Sequence, residues 1–381
     1  MPFAKSLFYF GLLSSSAIAW SSVGPSSSAS DRRGFLVKTA NKAAVVIGTV
    51  GVSQGFVESA QAATIYQPLP GSLAGQVHVI TGSSAGLGLE SAKRSAVAGA
   101  TIVMTTRSEA KGEKAKKQVQ EYLQERSITN PDIYALTLDL NDLSSVKSFP
   151  DRYKQILGTK RIDVLMNNAG AINDKSEITK DGFERTFQSN YLGPFLLTSA
   201  LFPYLNRNGS RVINVSSTAH QFARIVETGK PGLDMNNLNG ELSYGNEGWE
   251  AYGNTKLENI LFTQELQRRA DAAGFTWLTA VSLHPGVVGT DIWRNTYVAK
   301  SNSATSLQAL ASTLFYKNVL STEEGANTQI MLATDKEIVK GKYYDEHGRV
   351  KELAPFARDE KKAKELWEIS ERLSDNAFDL K

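Results

Sequence analysis

The chain has 381 residues, 41% of them hydrophobic, so it is long enough for one large domain or two small ones with a sizeable core. It contains no cysteine, which excludes disulfides, thiolate metal sites and cysteine nucleophiles. The formal net charge is +3, but residues 1–62 carry five basic and two acidic side chains and the rest carries 37 of each sign. Nothing therefore favours nucleic acid as a partner, and we expect a small-molecule substrate. The histidines lack metal-like spacing, so no metal site is predicted; they are His78, His220, His284 and His347.

Residues 1–62 resemble two targeting signals in tandem. Residues 1–19 have a basic residue, a short apolar run and an Ala-Ile-Ala ending, which are typical of a cleavable signal peptide. Residues 20–62 contain the pair Arg32 and Arg33, a longer apolar run and an Ala-Gln-Ala ending, which are typical of a twin-arginine signal. The arrangement resembles the bipartite plastid presequences of diatoms and related algae, followed by a thylakoid-lumen signal. We therefore expect a plastid location, in the thylakoid lumen; the alternative is an ordinary signal for the secretory pathway followed by a linker.

From residue 63 to 381, short β-branched runs alternate with longer helical patterns. This alternation predicts an α/β fold, a single-domain Rossmann-type doubly wound parallel sheet of about seven strands. The predicted strands are Gln76–Thr81, Thr101–Thr105, Ile133–Asp139, Asp163–Met166, Arg211–Val215, Thr276–Leu283 and a seventh around Tyr343–Tyr344. The predicted helices are Leu89–Ala98, Lys111–Arg126, Leu143–Leu157, Gly182–Asn206, Tyr252–Ala272 and Asp359–Arg372. Two inserts, residues 218–251 and 287–320, are long enough to carry function.

A glycine-rich loop, Thr81-Gly82-Ser83-Ser84-Ala85-Gly86-Leu87-Gly88, follows the first predicted strand and precedes a helical pattern. Gly82 allows a tight turn, Gly86 lets the backbone approach a pyrophosphate, and Gly88 permits close packing of helix and strand. The N-terminus of the helix would face the anion. Because this loop lies between a strand and a helix at the start of the sheet, it predicts a dinucleotide site.

Arg107 follows the second predicted strand, where NAD-binding folds place an acidic residue on the ribose hydroxyls. A carboxylate there would repel a 2′-phosphate, whereas an arginine can form charge-assisted hydrogen bonds with one. Ser108 or Lys111 would assist. The position therefore favours NADP(H) as the cofactor.

Tyr252 and Lys256 stand four residues apart at the start of a predicted helix and so share one face. A phenol with an ordinary pKa near ~10 exchanges protons poorly at neutral pH, and a neighbouring cation favours its charged form. The spacing thus predicts an activated tyrosine, although such a pair is common on helix surfaces and needs the support of other motifs.

Those other motifs are present, and with them the chain resembles the short-chain dehydrogenase/reductase family. The matching residues are the loop Thr81 to Gly88, Asp139-Leu140, Asn167-Asn168-Ala169-Gly170, Asn190, Ser217 in Asn214-Val215-Ser216-Ser217, Tyr252, Lys256, and Pro285-Gly286 with Thr290. The resemblance covers roughly residues 74–345, in the order of the family.

The resemblance implies a role for each matching residue. Tyr252 would exchange a proton with the substrate oxygen while a hydride moves to or from nicotinamide, and Ser217, rather than its neighbour Ser216, would hydrogen-bond that oxygen. Lys256 would hold the nicotinamide ribose and lower the pKa of the tyrosine, and Asn190 would support a water-linked proton path. The implied cofactor-binding residues are Thr81, Gly82, Ser83, Gly86, Leu87, Gly88, Arg107, Asp139, Leu140, Asn168, Ala169, Gly170, Tyr252, Lys256, Pro285, Gly286 and Thr290.

Within the family, residues 256–266 and 282–286 resemble the branch of retinol dehydrogenases and protochlorophyllide reductases, which handle bulky apolar substrates. We expect an NADP(H)-dependent oxidoreductase acting on a carbonyl or alcohol of a retinoid-, carotenoid- or isoprenoid-like molecule, with apolar residues such as Trp293 lining the pocket. Protochlorophyllide reduction is the alternative, although the absence of cysteine counts against it; a third hypothesis is a dinucleotide-binding protein without catalysis. A homodimer and peripheral contact with the thylakoid membrane are expectations from analogy.

Overall fold

The protein is described by a computed structural model for residues 64–129, 131–245, 248–289 and 319–380. The predicted presequence, residues 1–62, lies outside the described residues. So do Thr290 and Trp293 of the second insert.

Seven parallel strands form one sheet in the order β3-β2-β1-β4-β5-β6-β7. The strands are β1 Val77–Ile80, β2 Thr101–Thr106, β3 Ile133–Thr137, β4 Val164–Asn167, β5 Ser210–Val215, β6 Leu278–Leu283 and β7 Tyr343–Tyr344. β1, β2 and β4 are buried at every position, as expected for strands covered by helices on both faces. The strand order reverses between β1 and β4, and such a switch point opens a crevice at the carboxyl ends of the strands. The predicted Rossmann-type sheet is confirmed.

Helices cover both faces of this sheet. They are α1 Gly86–Val97, α2 Glu109–Gln124, α3 Leu143–Lys147, α4 Phe149–Leu157, α5 Arg185–Phe187, α6 Gly193–Leu201, α7 Trp249–Ala272, α8 Thr322–Gly325, α9 Asn327–Thr334 and α10 Glu360–Ser374. One core cluster joins α1, α2 and α9 to the sheet, and the other joins α4, α6, α7 and α10 to its opposite face. None of the helices in these described ranges is long and apolar enough to cross a membrane.

Two predicted helices are interrupted in the structure. The predicted helix Leu143–Leu157 divides into α3 and α4 at Ser148, two residues before Pro150, which has no N–H to continue the helical hydrogen bonds. The predicted helix Gly182–Asn206 begins only after Glu184, whose carboxylate caps the backbone N–H of Phe187 at 2.9 Å. It then passes through a π turn before α6. Sequence periodicity is insensitive to such local changes of hydrogen bonding.

The first insert is held in place by its own polar side chains. Asp234 accepts a hydrogen bond from the backbone N–H of Val226, at 2.9 Å, and Asn237 accepts one from that of Leu242, at 2.8 Å. The hydroxyl of Tyr244 donates to the carbonyl of Asn173 at 2.9 Å, which ties the insert to the segment after β4. The insert ends at α7, which begins at Trp249, three residues before the predicted start.

Candidate active site

The predicted site residues lie along one edge of the sheet. The glycine-rich loop follows β1, residues 168–170 follow β4, Ser217 follows β5 and Pro285 follows β6. Because parallel strands all end at the same edge, these segments converge at the switch point between β1 and β4.

Two glycines of the loop, Gly82 and Gly88, leave no room for side chains. Gly82 has a φ of +64°, and a Cβ there would lie 2.9 Å from the Cα of Ala169. At Gly88 a Cβ would lie 2.5 Å from Nδ2 of Asn168 and 2.7 Å from the carbonyl oxygen of Gly82. Gly86 has a φ of +57° where α1 begins. Loop, helix and the segment after β4 can therefore pack this closely only with glycine at these positions.

The N-terminus of α1 is open to an anion. Ala85 stands at the N-cap without a side-chain hydrogen bond to the helix, and the first turn contains no acidic residue. Leu87, in that turn, is half-buried. The free N–H groups and the positive end of a 12-residue helix fit a pyrophosphate, as a nicotinamide dinucleotide would present.

The side chains of Thr81 and Ser83 face into the frame rather than toward the open cradle. Thr81 is fully buried, and its Oγ1 accepts hydrogen bonds from the N–H groups of Asn168 and Ala169 at 2.9 and 3.0 Å. Ser83 is also fully buried, and its Oγ accepts from the N–H of Thr105 at 3.0 Å. Both hydroxyls therefore stabilise the loop from its buried side. Thr81 and Ser83, which the sequence predicts to bind the cofactor, shape the cradle without pointing their side chains into it.

Arg107 is exposed directly after β2, and it forms no ion pair with any residue in the part of the chain that the structure describes. Ser108, the N-cap of α2, and Lys111 in the first turn are exposed beside it. Just after β3, the next strand along the sheet, Asp139 is half-buried, accepts from the N–H of Asn141 at 2.9 Å and precedes the buried Leu140. These groups lie at the ends of β2 and β3, where the adenosine half of a dinucleotide would be held.

Tyr252 is almost fully buried in the first turn of α7, and its hydroxyl forms a side-chain hydrogen bond with Ser217. Burial raises the pKa of Tyr252 above its ordinary value, and the hydrogen bond from Ser217 lowers it by a smaller amount. The sequence predicts that the pKa of Tyr252 is lowered. This prediction is wrong, because burial raises the pKa by more than the hydrogen bond lowers it.

Lys256 lies one turn further along α7 and is buried. Its Nζ donates to the carbonyl of Val215 at 2.8 Å and lies 5.3 Å from the centre of the Tyr252 ring. A Cβ at Gly170 would come within 3.2 Å of the same Nζ, so that glycine leaves the ammonium accessible from the segment after β4. Burial lowers the pKa of Lys256 to about 8.

The two adjacent serines point in different directions. Ser217 Oγ accepts from the N–H of Ala219 at 3.1 Å and faces Tyr252, whereas Ser216 is buried and donates to the carbonyl of Lys256 at 2.7 Å. The hydroxyl beside the tyrosine is thus that of Ser217.

Asn190 lies in the π turn between α5 and α6. Its side chain donates to the carbonyl of Ala171 at 2.8 Å and accepts from the N–H of the same residue at 2.9 Å. It also donates to the hydroxyl of Thr255, next to Lys256, at 3.3 Å. A π turn re-aims a side chain relative to a regular helix, and this one directs the asparagine toward the lysine.

The loop after β6 brings Pro285 and Gly286 to the same edge. Gly286 has a φ of +80°, and a Cβ there would lie 2.8 Å from the side chain of Leu320. Val288, in the same loop, is buried against α8. The predicted contact at Thr290 lies outside the described residues.

Sequence reasoning missed an apolar cluster around the tyrosine. Ile172 and Ala219 are buried against Tyr252, and Phe222 and Trp249 pack around them. The Trp249 ring stands edge-on to the Tyr252 ring, with 6.2 Å between their centres. Aromatic residues near the two ends of the first insert, Phe222 and Trp249, were the available signal, but the folded insert is needed to bring them to the phenol.

Three of the four histidines, His78, His220 and His284, are buried, and His347 is exposed. Burial, with a smaller contribution from Arg211, lowers the pKa of His78 to about 3, and burial lowers that of His284 to about 4. His220 is buried and donates from Nδ1 to the carbonyl of Ser217 at 2.7 Å. Within the described ranges, no group of three or more histidine, aspartate or glutamate side chains could hold a metal ion.

Solved structures share this fold. A protein of Mycobacterium paratuberculosis matches with a TM-score of 0.61 and 33% identity, over 82% of this chain and 97% of that one. A blue fluorescent protein from a metagenomic library, solved in complex with NADPH, matches with a TM-score of 0.52 and 24% identity over 72% and 97%, and this match supports the fold alone.

Sequence comparison is more specific. The profile of the family described as short chain dehydrogenase matches residues 76–228. Retinol dehydrogenase 12 of Mus musculus is 36% identical over 299 residues, which cover 78% of this chain and 85% of that protein. Retinol dehydrogenase 14 of the same species is 37% identical over 79% and 86% of the two chains, and human retinol dehydrogenase 13 is 36% identical over 80% and 86%. The chain therefore belongs to the short-chain dehydrogenase/reductase family of oxidoreductases, in the branch of the retinol dehydrogenases.

Proposed function

We propose that the protein is an NADP(H)-dependent oxidoreductase that reduces a carbonyl of a bulky apolar, retinoid-, carotenoid- or isoprenoid-like molecule, or oxidises the corresponding alcohol. The observation that carries the proposal is the buried phenol of Tyr252, which has the hydroxyl of Ser217 and the ammonium of Lys256 nearby and apolar side chains packed against its ring.

The proposed chemistry divides between these side chains. The nicotinamide ring, when bound, supplies or accepts the hydride. Burial keeps Tyr252 protonated at neutral pH, so the phenol can donate its proton to a carbonyl oxygen that is gaining charge. Ser217 holds that oxygen by a hydrogen bond, and Lys256, charged below a pH of about 8, offsets the negative charge that develops.

Arg107 supports the choice of NADP(H). Its guanidinium is exposed at the end of β2 and is not engaged by an acidic side chain among the described residues, so it is available to a 2′-phosphate. NADH has no 2′-phosphate, so it could not form the same charge-assisted hydrogen bonds with Arg107.

An apolar substrate is supported by the cluster of Ile172, Phe222 and Trp249 beside the phenol. A pocket of this kind selects by size and hydrophobicity, with few polar groups to orient the ligand. The names of the relatives, which are retinol dehydrogenases, agree with this class.

The tandem signals in residues 1–62 support a further part of the proposal, that the protein is delivered to a plastid and its thylakoid lumen. In that compartment, an enzyme with an apolar substrate would work at the membrane surface. The homodimer is proposed from the habit of the family.

The deciding experiment is an assay of the full-length protein with NADPH, in the dark and in the light. Retinoid and carotenoid aldehydes and protochlorophyllide are the substrates, and Tyr252→Phe is the control. We expect conversion of the aldehydes to alcohols in the dark, and Trp249→Ala should impair bulky aldehydes more than small ones. Light-dependent conversion of protochlorophyllide alone would refute carbonyl reduction. NADPH binding without turnover of any substrate would instead favour a dinucleotide-binding protein.

A further inference from the structure

Behind the proposed catalytic residues, three buried polar side chains meet without taking part in the chemistry described above. They are Ser216 at the end of β5, His220 in the turn that follows, and Tyr343 on β7. Each contacts the backbone or side chain of a neighbour of the reacting groups, and together they connect β5, α7 and β7.

Two of these residues hold the backbone of the proposed catalytic residues themselves. Ser216 Oγ donates to the carbonyl of Lys256 at 2.7 Å, in the second turn of α7. His220 Nδ1 donates to the carbonyl of Ser217, also at 2.7 Å. Lys256 Nζ in turn donates to the carbonyl of Val215, so α7 is joined to the end of β5 beside the proposed catalytic serine and lysine.

Tyr343 supports both hydrogen bonds from the opposite side. Its hydroxyl faces the hydroxyl of Ser216 and lies 3.5 Å from Nδ1 of His220. Its ring stands edge-on to the imidazole, with 5.4 Å between the ring centres. β7 is a two-residue strand at the edge of the sheet, next to β6, so Tyr343 connects this edge to the site.

We propose that Ser216, His220 and Tyr343 form a bracket that positions Ser217 and Lys256 relative to Tyr252. None of the three is a catalytic residue; each acts through the backbone or side chain of a neighbour. Misplacement of a catalytic group by about 1 Å can cost roughly a hundredfold in rate, so a bracket of this kind has a measurable effect on turnover. The bracket itself stands on the contacts above, whereas its effect on turnover rests on the proposed function.

The first test needs no substrate. Tyr343→Phe removes one hydroxyl, and Tyr344→Phe is the matched control, because the Tyr344 hydroxyl accepts from the N–H of Val339, away from the site. We expect hydrogen exchange at the amides of residues 216–220 and 252–257 to become about five- to tenfold faster in Tyr343→Phe, the effect of losing one hydrogen bond, and to stay unchanged in Tyr344→Phe. Equal exchange in the two variants would overturn the bracket, whether or not the protein reduces carbonyls.

The second test uses turnover of an aldehyde that the wild type accepts. Tyr343→Phe and Ser216→Ala should each lower kcat about tenfold while the KM for NADPH stays within about twofold, and the double variant should be no worse than Ser216→Ala alone. His220→Asn keeps a donor at the position of Nδ1 and should retain kcat, whereas His220→Leu should lose it. A wild type without turnover would refute the proposed function and leave the exchange result to decide the bracket. Unchanged kcat in Tyr343→Phe of an active enzyme would refute the positioning role.

Discussion

Gly88→Ala is the substitution that most directly tests the dinucleotide cradle. The added methyl carbon would lie 2.5 Å from Nδ2 of Asn168 and 2.7 Å from the carbonyl oxygen of Gly82, against an ordinary contact distance of about 3.5 Å. The backbone of Gly82 cannot yield easily, because its loop is packed against Ala169. Overlap of this size in a packed interior costs about 1–3 kcal/mol.

The same shift must displace Asn168, whose Nδ2 donates to the carbonyl of Thr81 at 2.8 Å and helps to shape the loop. We therefore expect Gly88→Ala to weaken NADPH binding at least about tenfold, in addition to its loss of stability. Fluorescence titration with NADPH and urea unfolding measure the two effects. Gly274→Ala is the control. Its φ of +75° makes alanine there strained by about 1–2 kcal/mol, but an added Cβ at this turn after α7 would have no atom within 4 Å. Wild-type affinity in Gly88→Ala, or equal weakening in Gly274→Ala, would refute the cradle.

Three other predictions test the remaining parts of the interpretation. Arg107→Asp should weaken NADPH binding roughly ten- to a hundredfold while NADH binding is kept, because about 1.5–3 kcal/mol of charged hydrogen bonding is lost. If the wild type bound NADPH and NADH with equal affinity, the contact between Arg107 and the 2′-phosphate would be contradicted. Tyr252→Phe should lower kcat about 10²- to 10⁴-fold with NADPH affinity retained, and a steady-state assay that finds full turnover would exclude the acid/base role. His78 has a pKa lowered from 6.5 to about 3, so the stability it contributes is complete above pH 6.5 and is lost as the pH falls toward 3, by about 2 kcal/mol at pH 5. Urea unfolding at pH 8 and 5 should show a smaller loss in His78→Met than in the wild type.

Much of the fold and of the site follows from the sequence because the relevant signals are local. The spacing of Gly82, Gly86 and Gly88 predicts the cradle, and the four-residue spacing of Tyr252 and Lys256 places them on one face of a helix. What the sequence leaves out depends on tertiary packing. The inward direction of the Thr81 hydroxyl follows from the approach of β4, which no local pattern encodes.

The apolar side of the site is missed for the same reason. Trp249 and Phe222 are separated by 26 residues in the sequence, and hydrogen bonds within the insert help to bring them to the phenol. The sign of the tyrosine shift is also a tertiary property. The spacing predicts a cation that would lower the pKa of Tyr252, whereas in the folded chain burial raises that pKa and the lowering influence is the hydroxyl of Ser217.

These opposed shifts support the proposed carbonyl reduction. Burial raises the pKa of Tyr252 and lowers that of Lys256 to about 8, so near neutral pH the phenol keeps its proton and the lysine keeps most of its charge. A protonated phenol is the donor that an oxygen with developing negative charge requires, and a single buried cation stabilises that charge without neutralising it beforehand. As the pH rises through about 8, Lys256 loses its proton first, because the pKa of the tyrosine lies higher. The cation therefore disappears before the donor does, and reduction should fall in alkaline solution while Tyr252 is still protonated.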